Sequence, residues 1–225
     1  MAHLQDQLDE ITAQTRNLVQ PERLAIGERA IEELFRTGIE DRLLPIGFTA
    51  PAFALPDFSG KIVRSSDLLA LGPLVVNFFR GRWCPYCVTE LEAWRDLYPA
   101  LRERGALVVG ISPQNQRQGD FTASQHAIPF PLLADAGCGV AERYGLAWTL
   151  PDYLRRYYRG ILLNIPFING DETWKLPLPA TYVLSPEGKV LFAEAHADFR
   201  VRPEPQDVLR SIVAVPGERG VRSLS

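Results

Sequence analysis

Two cysteines separated by two residues, in the run Trp83-Cys84-Pro85-Tyr86-Cys87, are the side chains best suited to do chemistry. Residues three apart on a helix are neighbours, with Cβ atoms roughly 5–6 Å apart. A disulfide wants Cα atoms about 4.4–6.8 Å apart, so such a pair closes and reopens with little movement. The ring it closes is tiny and its entropic stabilisation modest, so the bond reads as reversible rather than fold-holding. A helix opening at Pro85 would also activate sulfur, because its free N–H groups and dipole favour thiolate over thiol. Such sites bring a cysteine pKa to about 3.5–7.5. Pro85 pushes Cys84 out of helical geometry and leaves its sulfur near the helix mouth, whereas Cys87, half a turn in, is expected to be less exposed. Arg80 and Arg82 lie just upstream; either could add positive field, or face water at a strand end. Structural zinc is the competing reading. It normally needs four ligands, and only Cys138, His126 and the distant His3 and His196 could complete it. No metal and no cofactor is expected.

The elements that must position this pair can be read outward from it. Residues 74–79 form a nearly unbroken apolar strand before the cysteines, of the kind covered on both faces of a sheet. Residues 85–104 follow as a helix, with Leu91, Trp94, Leu97 and Leu101 on one side and Pro99 placed to kink it. Residues 106–111 read as a second buried strand, 115–126 as a helix, 130–133 as a short strand and 138–145 as a helix. This order predicts right-handed βαβ units and a parallel part of the sheet. Upstream, Leu4, Leu8, Ile11 and Leu18 fall near one face of a helix. Pro21 opens a second helix, with Leu24, Ile31, Leu34 and Phe35 as its apolar stripe and Gly38 as its stop. Together they read as a helical cap over residues 1–45, packed on the main domain or on a partner subunit.

Residues 46–60 are proline-rich, with Phe53 and Leu55 alternating as in an edge strand, and Ser65-Ser66-Asp67 reads as a helix cap. The segment 146–178 reads as a long, irregular insertion rich in aromatics and arginine, with a short helix at 152–159. Loops of that length are often functional. Its Trp148, Tyr153 and Trp174 read as packing residues that could also wall the sulfur pocket. A hairpin runs from Tyr182-Val183-Leu184 to 190–193, and 204–213 forms a closing helix. His196, Asp198, Arg202 and Glu204 read as a polar surface or cap, His126 as a helix-end histidine, and Cys138 as a spare buried thiol.

Composition narrows the function classes. The 225 residues are 46% hydrophobic and 23% charged, with a net charge of −3, which is ordinary globular usage. No basic run suggests a nucleic-acid partner. No apolar stretch reaches the ~18 residues of a membrane span. The first residues carry acids and no hydrophobic core segment, so the expected location is the cytoplasm. In a reducing compartment, paired cysteines point to catalysis or metal rather than to a scaffold.

The strand, Trp-Cys-Pro-Tyr-Cys and helix together resemble the thioredoxin-like fold, and Cys84-Pro85-Tyr86-Cys87 is the dithiol typical of glutaredoxins. The run Ala50-Pro51-Ala52-Phe53-Ala54-Leu55, flanked by Gly47, Asp57 and Gly60, is similar to the opening motif of the peroxiredoxin superfamily, of alkyl hydroperoxide reductase and thiol-specific antioxidant type. So is Pro179-Ala180-Thr181-Tyr182-Val183-Leu184-Ser185-Pro186-Glu187-Gly188-Lys189-Val190. The resemblance covers roughly residues 46–213. The nearest match is a subgroup with CxxC in place of threonine-x-x-cysteine.

That resemblance implies an α/β thioredoxin-like fold: a central mixed sheet flanked by helices, after an N-terminal helical extension. The implied boundaries are 1–45 for the extension, 46–215 for the domain (insertion about 146–178) and 216–225 for a tail. It implies a thiol peroxidase that cycles through sulfenic acid and a Cys84–Cys87 disulfide. A thioredoxin- or glutaredoxin-type donor would reduce it, and a homodimer is the assembly to test. Roles conflict, however. The peroxiredoxin pattern places Cys87 on the attacking position, and the thioredoxin pattern places Cys84 there. The arginine usual before the late strand is absent, with Pro179 in its place; Arg80, Arg82 or an arginine of 155–159 could substitute. Pro179, followed by Thr181, suits the thioredoxin-like cis-proline that faces the dithiol, unless it is an ordinary turn proline. Trp83, Pro85, Arg82, Pro179 and Thr181 are thus the supporting residues. Two other functions fit the pattern. One is a thiol–disulfide oxidoreductase with Cys84 attacking and Cys87 resolving; the other is a redox-sensing or scaffold protein with little turnover.

Overall fold

A computed structural model of the chain describes residues 3–212, so the expected tail at 216–225 lies outside the described residues. Two amphipathic helices come first, α1 (Leu4–Leu18) and α2 (Pro21–Arg36), the second opened by its proline. Gly38, at φ +66°, ends that layer in the left-handed region, where a side chain is disfavoured. A short hairpin follows, β1 (Ala54–Pro56) and β2 (Ile62–Arg64), and then α3 (Ser65–Leu69). The central part runs β3 (Leu74–Phe78), α4 (Pro85–Glu103), β4 (Leu107–Ser112), α5 (Gln116–Gln125), β5 (Leu132–Ala134) and α6 (Gly139–Arg143). The chain continues through β6 (Ala147–Thr149), α7 (Asp152–Gly160), α8 (Ile165–Asn169) and β7 (Lys175–Pro177). It closes with β8 (Ala180–Leu184), β9 (Val190–Ala195) and α9 (Pro205–Ser211).

Five strands make the central sheet, in the order β5-β4-β3-β8-β9. β3, β4 and β5 run parallel, whereas β8 and β9 pair antiparallel beside β3, so the sheet is mixed, as expected. β3 and β4 are buried along their whole length because both faces are covered. On one face Leu8, Leu91, Trp94 and Val208 bring α1, α4 and α9 together; on the other, Phe78 and Tyr144 each meet the Tyr182 ring edge to face.

The structure corrects the sequence reading of the fold in three places. Leu18 and Phe35 do not join the inward stripes; they are 85% and 63% exposed, because each sits at the end of its helix, beyond the surface that the helix covers. The segment 146–178 is ordered rather than irregular. β6 and β7 pair antiparallel, and Leu150, Leu154, Ile165, Trp174 and Leu176 form a small core of their own with Ala30 of α2. Pro179 is not a cis residue: no peptide bond among the described residues is cis.

Candidate active site

The turn from β3 into α4 builds the site. Gly81 adopts φ +142°, and a Cβ there would lie 2.8 Å from the Trp83 ring nitrogen, so only glycine makes this turn. Cys84 is the N-cap of α4, in extended conformation, and Pro85 takes the first helical position. The Cys84 sulfur itself caps the helix, accepting the Cys87 N–H at 3.4 Å. It also accepts from Arg80 Nη2 at 2.9 Å. Both cysteines are free thiols with 0% exposure.

Arg80 is held firmly. Its guanidinium lies 3.8 Å over the Phe199 ring and 5.0 Å from the Trp83 ring, and the side chain is buried. Burial alone would push the Cys84 thiol up. The hydrogen bond from Cys87 and the positive fields of Arg80 and Arg202 outweigh it and bring the pKa down to about 5. The same burial, with the Cys84 thiolate beside it, pushes Cys87 well up. At neutral pH the site therefore holds one thiolate, on Cys84, and one thiol, on Cys87.

Beneath Cys87 lies a polar network. Arg202 Nε donates to Glu90 at 2.8 Å, with the two side chains 1% and 0% exposed, and Arg202 Nη2 is 3.9 Å from the Cys87 sulfur. Asn77 of β3 donates to the same carboxylate at 2.7 Å, and Thr181 of β8 donates at 3.3 Å. Burial pushes the Glu90 carboxyl up, and Arg202 opposes that shift.

A cavity of about 270 Å³ opens over Cys84, and Cys87 does not line it. Its walls include Leu24 and Ile31 of α2, Leu154 and Tyr158 of α7, and Trp148 and Phe199. Tyr86 tethers α1 to this rim through Thr12, hydroxyl to hydroxyl at 3.1 Å.

The expected residues divide clearly. Cys84, Cys87, Trp83 and Pro85 meet at the helix mouth, and Thr181 reaches the network under Cys87. Arg82 turns away: it is exposed, bonds Gln118 at 2.6 Å and stacks on Phe121, because the strand-end turn sends alternate side chains to opposite sides. Pro179, in a trans bond, does not line the cavity. Trp148 walls the cavity, while Trp174 packs in the small core and Tyr153 donates to Glu33 at 2.7 Å. Arg202 is not the polar surface that sequence suggested, because the chain leaving β9 crosses the dithiol. In that crossing Phe199 covers Arg80, Arg200 binds Glu28 of α2 at 2.6 and 3.0 Å, and Arg202 turns inward. Glu90 also escaped the sequence reading, although its place three residues after Cys87 put it on the same helix face.

A mixed sheet with a dithiol at the mouth of a helix is the thioredoxin-like α/β class. Within that class, residues 46–193 match the AhpC/TSA family, and the chain belongs to it. Peroxiredoxin Q of Sedum lineare chloroplasts is 36% identical over 109 residues, which span 47% of this chain and 58% of the relative. The chain thus spans just over half the length of the first curated relatives it matches. The crystal structure of peroxidoxin BcpB from Mycobacterium tuberculosis superposes with a TM-score of 0.60 at 26% identity, covering 75% of this chain and 96% of that one. The thiol-disulfide oxidoreductase ResA of Bacillus thuringiensis is 24% identical over 149 residues, 66% of this chain and 68% of the relative.

Proposed function

We propose that the protein is a thiol-dependent peroxidase in which Cys84 attacks a hydroperoxide and Cys87 resolves the product. One observation carries this reading: the Cys84 sulfur, held as a thiolate by Arg80, faces the cavity, while Cys87 lies beneath it as a thiol. The thiolate takes the outer peroxide oxygen with its hydrogen, the O–O bond breaks, and the departing alkoxide or hydroxide takes a proton from solvent and leaves as alcohol or water. Sulfur is now a sulfenic acid. Arg80 is placed to stabilise the charge that moves onto the departing oxygen. The Cys87 sulfur then displaces hydroxide from Cys84; the hydroxide leaves with the Cys87 proton as water, and the Cys84–Cys87 disulfide forms. The positive charge of Arg202 beside Cys87 favours that deprotonation.

A thioredoxin- or glutaredoxin-type dithiol returns the pair to the reduced state. With both sulfurs buried, such a reductant must displace part of the helical cover. The cytoplasm is the proposed location, where free thiols persist; among the described residues no helix is long and apolar enough to cross a membrane. A homodimer is the proposed assembly to test.

The deciding experiment follows oxidation of reduced wild type, Cys84→Ser and Cys87→Ser by hydroperoxide, with sulfenic acid trapped by dimedone. Cys87→Ser should accumulate trapped Cys84 sulfenic acid, and Cys84→Ser should form none. Trapping on Cys87 in Cys84→Ser at the wild-type rate would reverse the roles. A second reading, thiol–disulfide exchange, is favoured by the ResA likeness and by the activated first cysteine of the pair. Rapid exchange with a small disulfide and no reaction with any hydroperoxide would select it.

A further inference from the structure

Arg80 is a buried cation that no carboxylate holds. It is 5% exposed, its Nε has no hydrogen-bond partner, and among the described residues its charge is met by the Cys84 sulfur rather than by an acid. A cation taken out of water needs something to receive its charge and to fix its plane. Besides the sulfur, two ring faces do so, Phe199 at 3.8 Å and Trp83 at 5.0 Å. Phe199 is the nearer, at the range of a desolvated cation–π contact.

The two rings differ in origin. Trp83 belongs to the same turn as Arg80. Phe199 arrives from the segment after β9, beyond the family-matched residues 46–193. That segment is pinned on both sides of the ring. The Val201 N–H donates to the Asp198 carbonyl at 3.0 Å, and Arg200 Nε donates to the Asp198 carboxylate at 2.8 Å. Arg200 also clasps Glu28 of α2. The Phe199 ring itself meets the Tyr86 ring at 69°, centroids 5.5 Å apart, and Tyr86 is bonded to Thr12 of α1. Arg80 has room to leave. It lines the cavity of about 270 Å³, and so does Glu28, whose carboxylate would compete for the guanidinium. A long side chain rich in rotamers samples such space unless a rigid face stands against it.

We propose that Phe199 is a positioning residue for the dithiol: its ring, held over the Arg80 guanidinium by the clasped segment 198–202, keeps that cation on the Cys84 sulfur. The inference rests on the Cys84 thiolate of the reading above, but not on the oxidant that it meets. It makes the thiolate depend on residues outside the turn that carries it.

The sign of one shift separates positioning from mere cover. Burial is the largest influence on Cys84 and pushes its pKa up; Cys87, Arg80 and Arg202 oppose it. Tyr158 faces the sulfur from α7 and is kept protonated by burial, and Glu90 is bonded to Arg202. If Phe199 only kept water out, trimming it would wet the sulfur and lower the Cys84 pKa. If it holds Arg80, trimming it lets the cation drift and raises that pKa.

Reduced full-length wild type, Phe199→Leu and Phe199→Tyr are alkylated with iodoacetamide from acid to neutral pH, and the modified cysteine is identified by mass spectrometry. Phe199→Leu should move the Cys84 midpoint up by about one unit, the size of one desolvated cation–π contact. Phe199→Tyr, which keeps the ring face, should restore most of that shift. In an Arg80→Met background, Phe199→Leu should add nothing, because the ring acts through the guanidinium. Phe199→Met, which also lacks the ring, carries the same test if Phe199→Leu folds poorly. A midpoint that falls or stays in the ring-less variant, or that rises equally with and without Arg80, overturns the positioning role and leaves the thiolate reading standing. A wild-type Cys84 midpoint at the ordinary thiol value overturns both.

Discussion

Cys84 and Cys138 are both fully buried, and both occupy the residue before a helix, yet their sulfurs are driven in opposite directions. Before α4, the sulfur of Cys84 is itself the cap: it takes the Cys87 N–H, and Arg80 stands beside it. Before α6, the free N–H groups are already taken by Asp135, whose two carboxylate oxygens accept from Val140 and Ala141 at 2.8 and 2.9 Å. Burial and the Asp135 charge therefore push the Cys138 thiol up, while Cys84 falls to about 5. A helix start activates a buried cysteine only when the sulfur receives the donors and the nearest charge is positive.

That contrast can be broken in steps. The largest effect should come from Cys84→Ser, which removes the thiolate of the site; hydroperoxide consumption should fall more than ~10³-fold, since hydroxyl is far less acidic and less nucleophilic than thiol. Next comes Arg202→Met, which strands Glu90 in the core without its cation. A buried pair broken from one side costs about 3–5 kcal/mol, readable as a drop in the urea midpoint, and Glu90→Gln in the same chain should recover part of it.

Arg80→Met sharpens the comparison most directly, because it gives Cys84 the cation-poor surroundings of Cys138. Loss of one preorganised donor costs about 10²–10³-fold, so peroxide reactivity should drop by roughly that factor at pH 7. The pH profile should move with it. In the wild type the thiolate is present above about 5 and is lost as pH falls through that value, so alkylation by iodoacetamide should stay fast at pH 6 and fade below pH 5. In Arg80→Met that midpoint should rise. A midpoint that stays near 5 would mean that the cap and Arg202 suffice.

Smaller effects are expected around the inert cysteine. Asp135→Ala removes the cap of α6 and should cost about 1 kcal/mol of stability, without making Cys138 reactive, since burial is the larger cause of its shift. Cys138→Ala should leave the rate of hydroperoxide-driven disulfide formation within about twofold of wild type, as a core side chain distant from the dithiol in chain and packing should.

How much was legible beforehand follows from how local each cause is. The buried run 74–78 and the proline after Cys84 act on their own neighbours, so strand and helix mouth could be placed from types and spacing. Pro21, Gly38 and the apolar spacing likewise placed the N-terminal helices, but not which ends would stay wet, as Leu18 and Phe35 did. The order of the segment 146–178 was hidden because its core needs Ala30 from another part of the chain.

Sequence by itself thus determined the dithiol, its place between a buried strand and a helix, and the alternation of strands and helices that makes the sheet. Each is fixed by residues adjacent in the chain. Only the tertiary structure decided which sulfur is the thiolate, which arginine supplies the field and what covers the pocket. Electrostatics in a buried site depends on distance in space. Arg80 faces inward where Arg82 faces out, and Arg202 reaches Cys87 from 115 residues away.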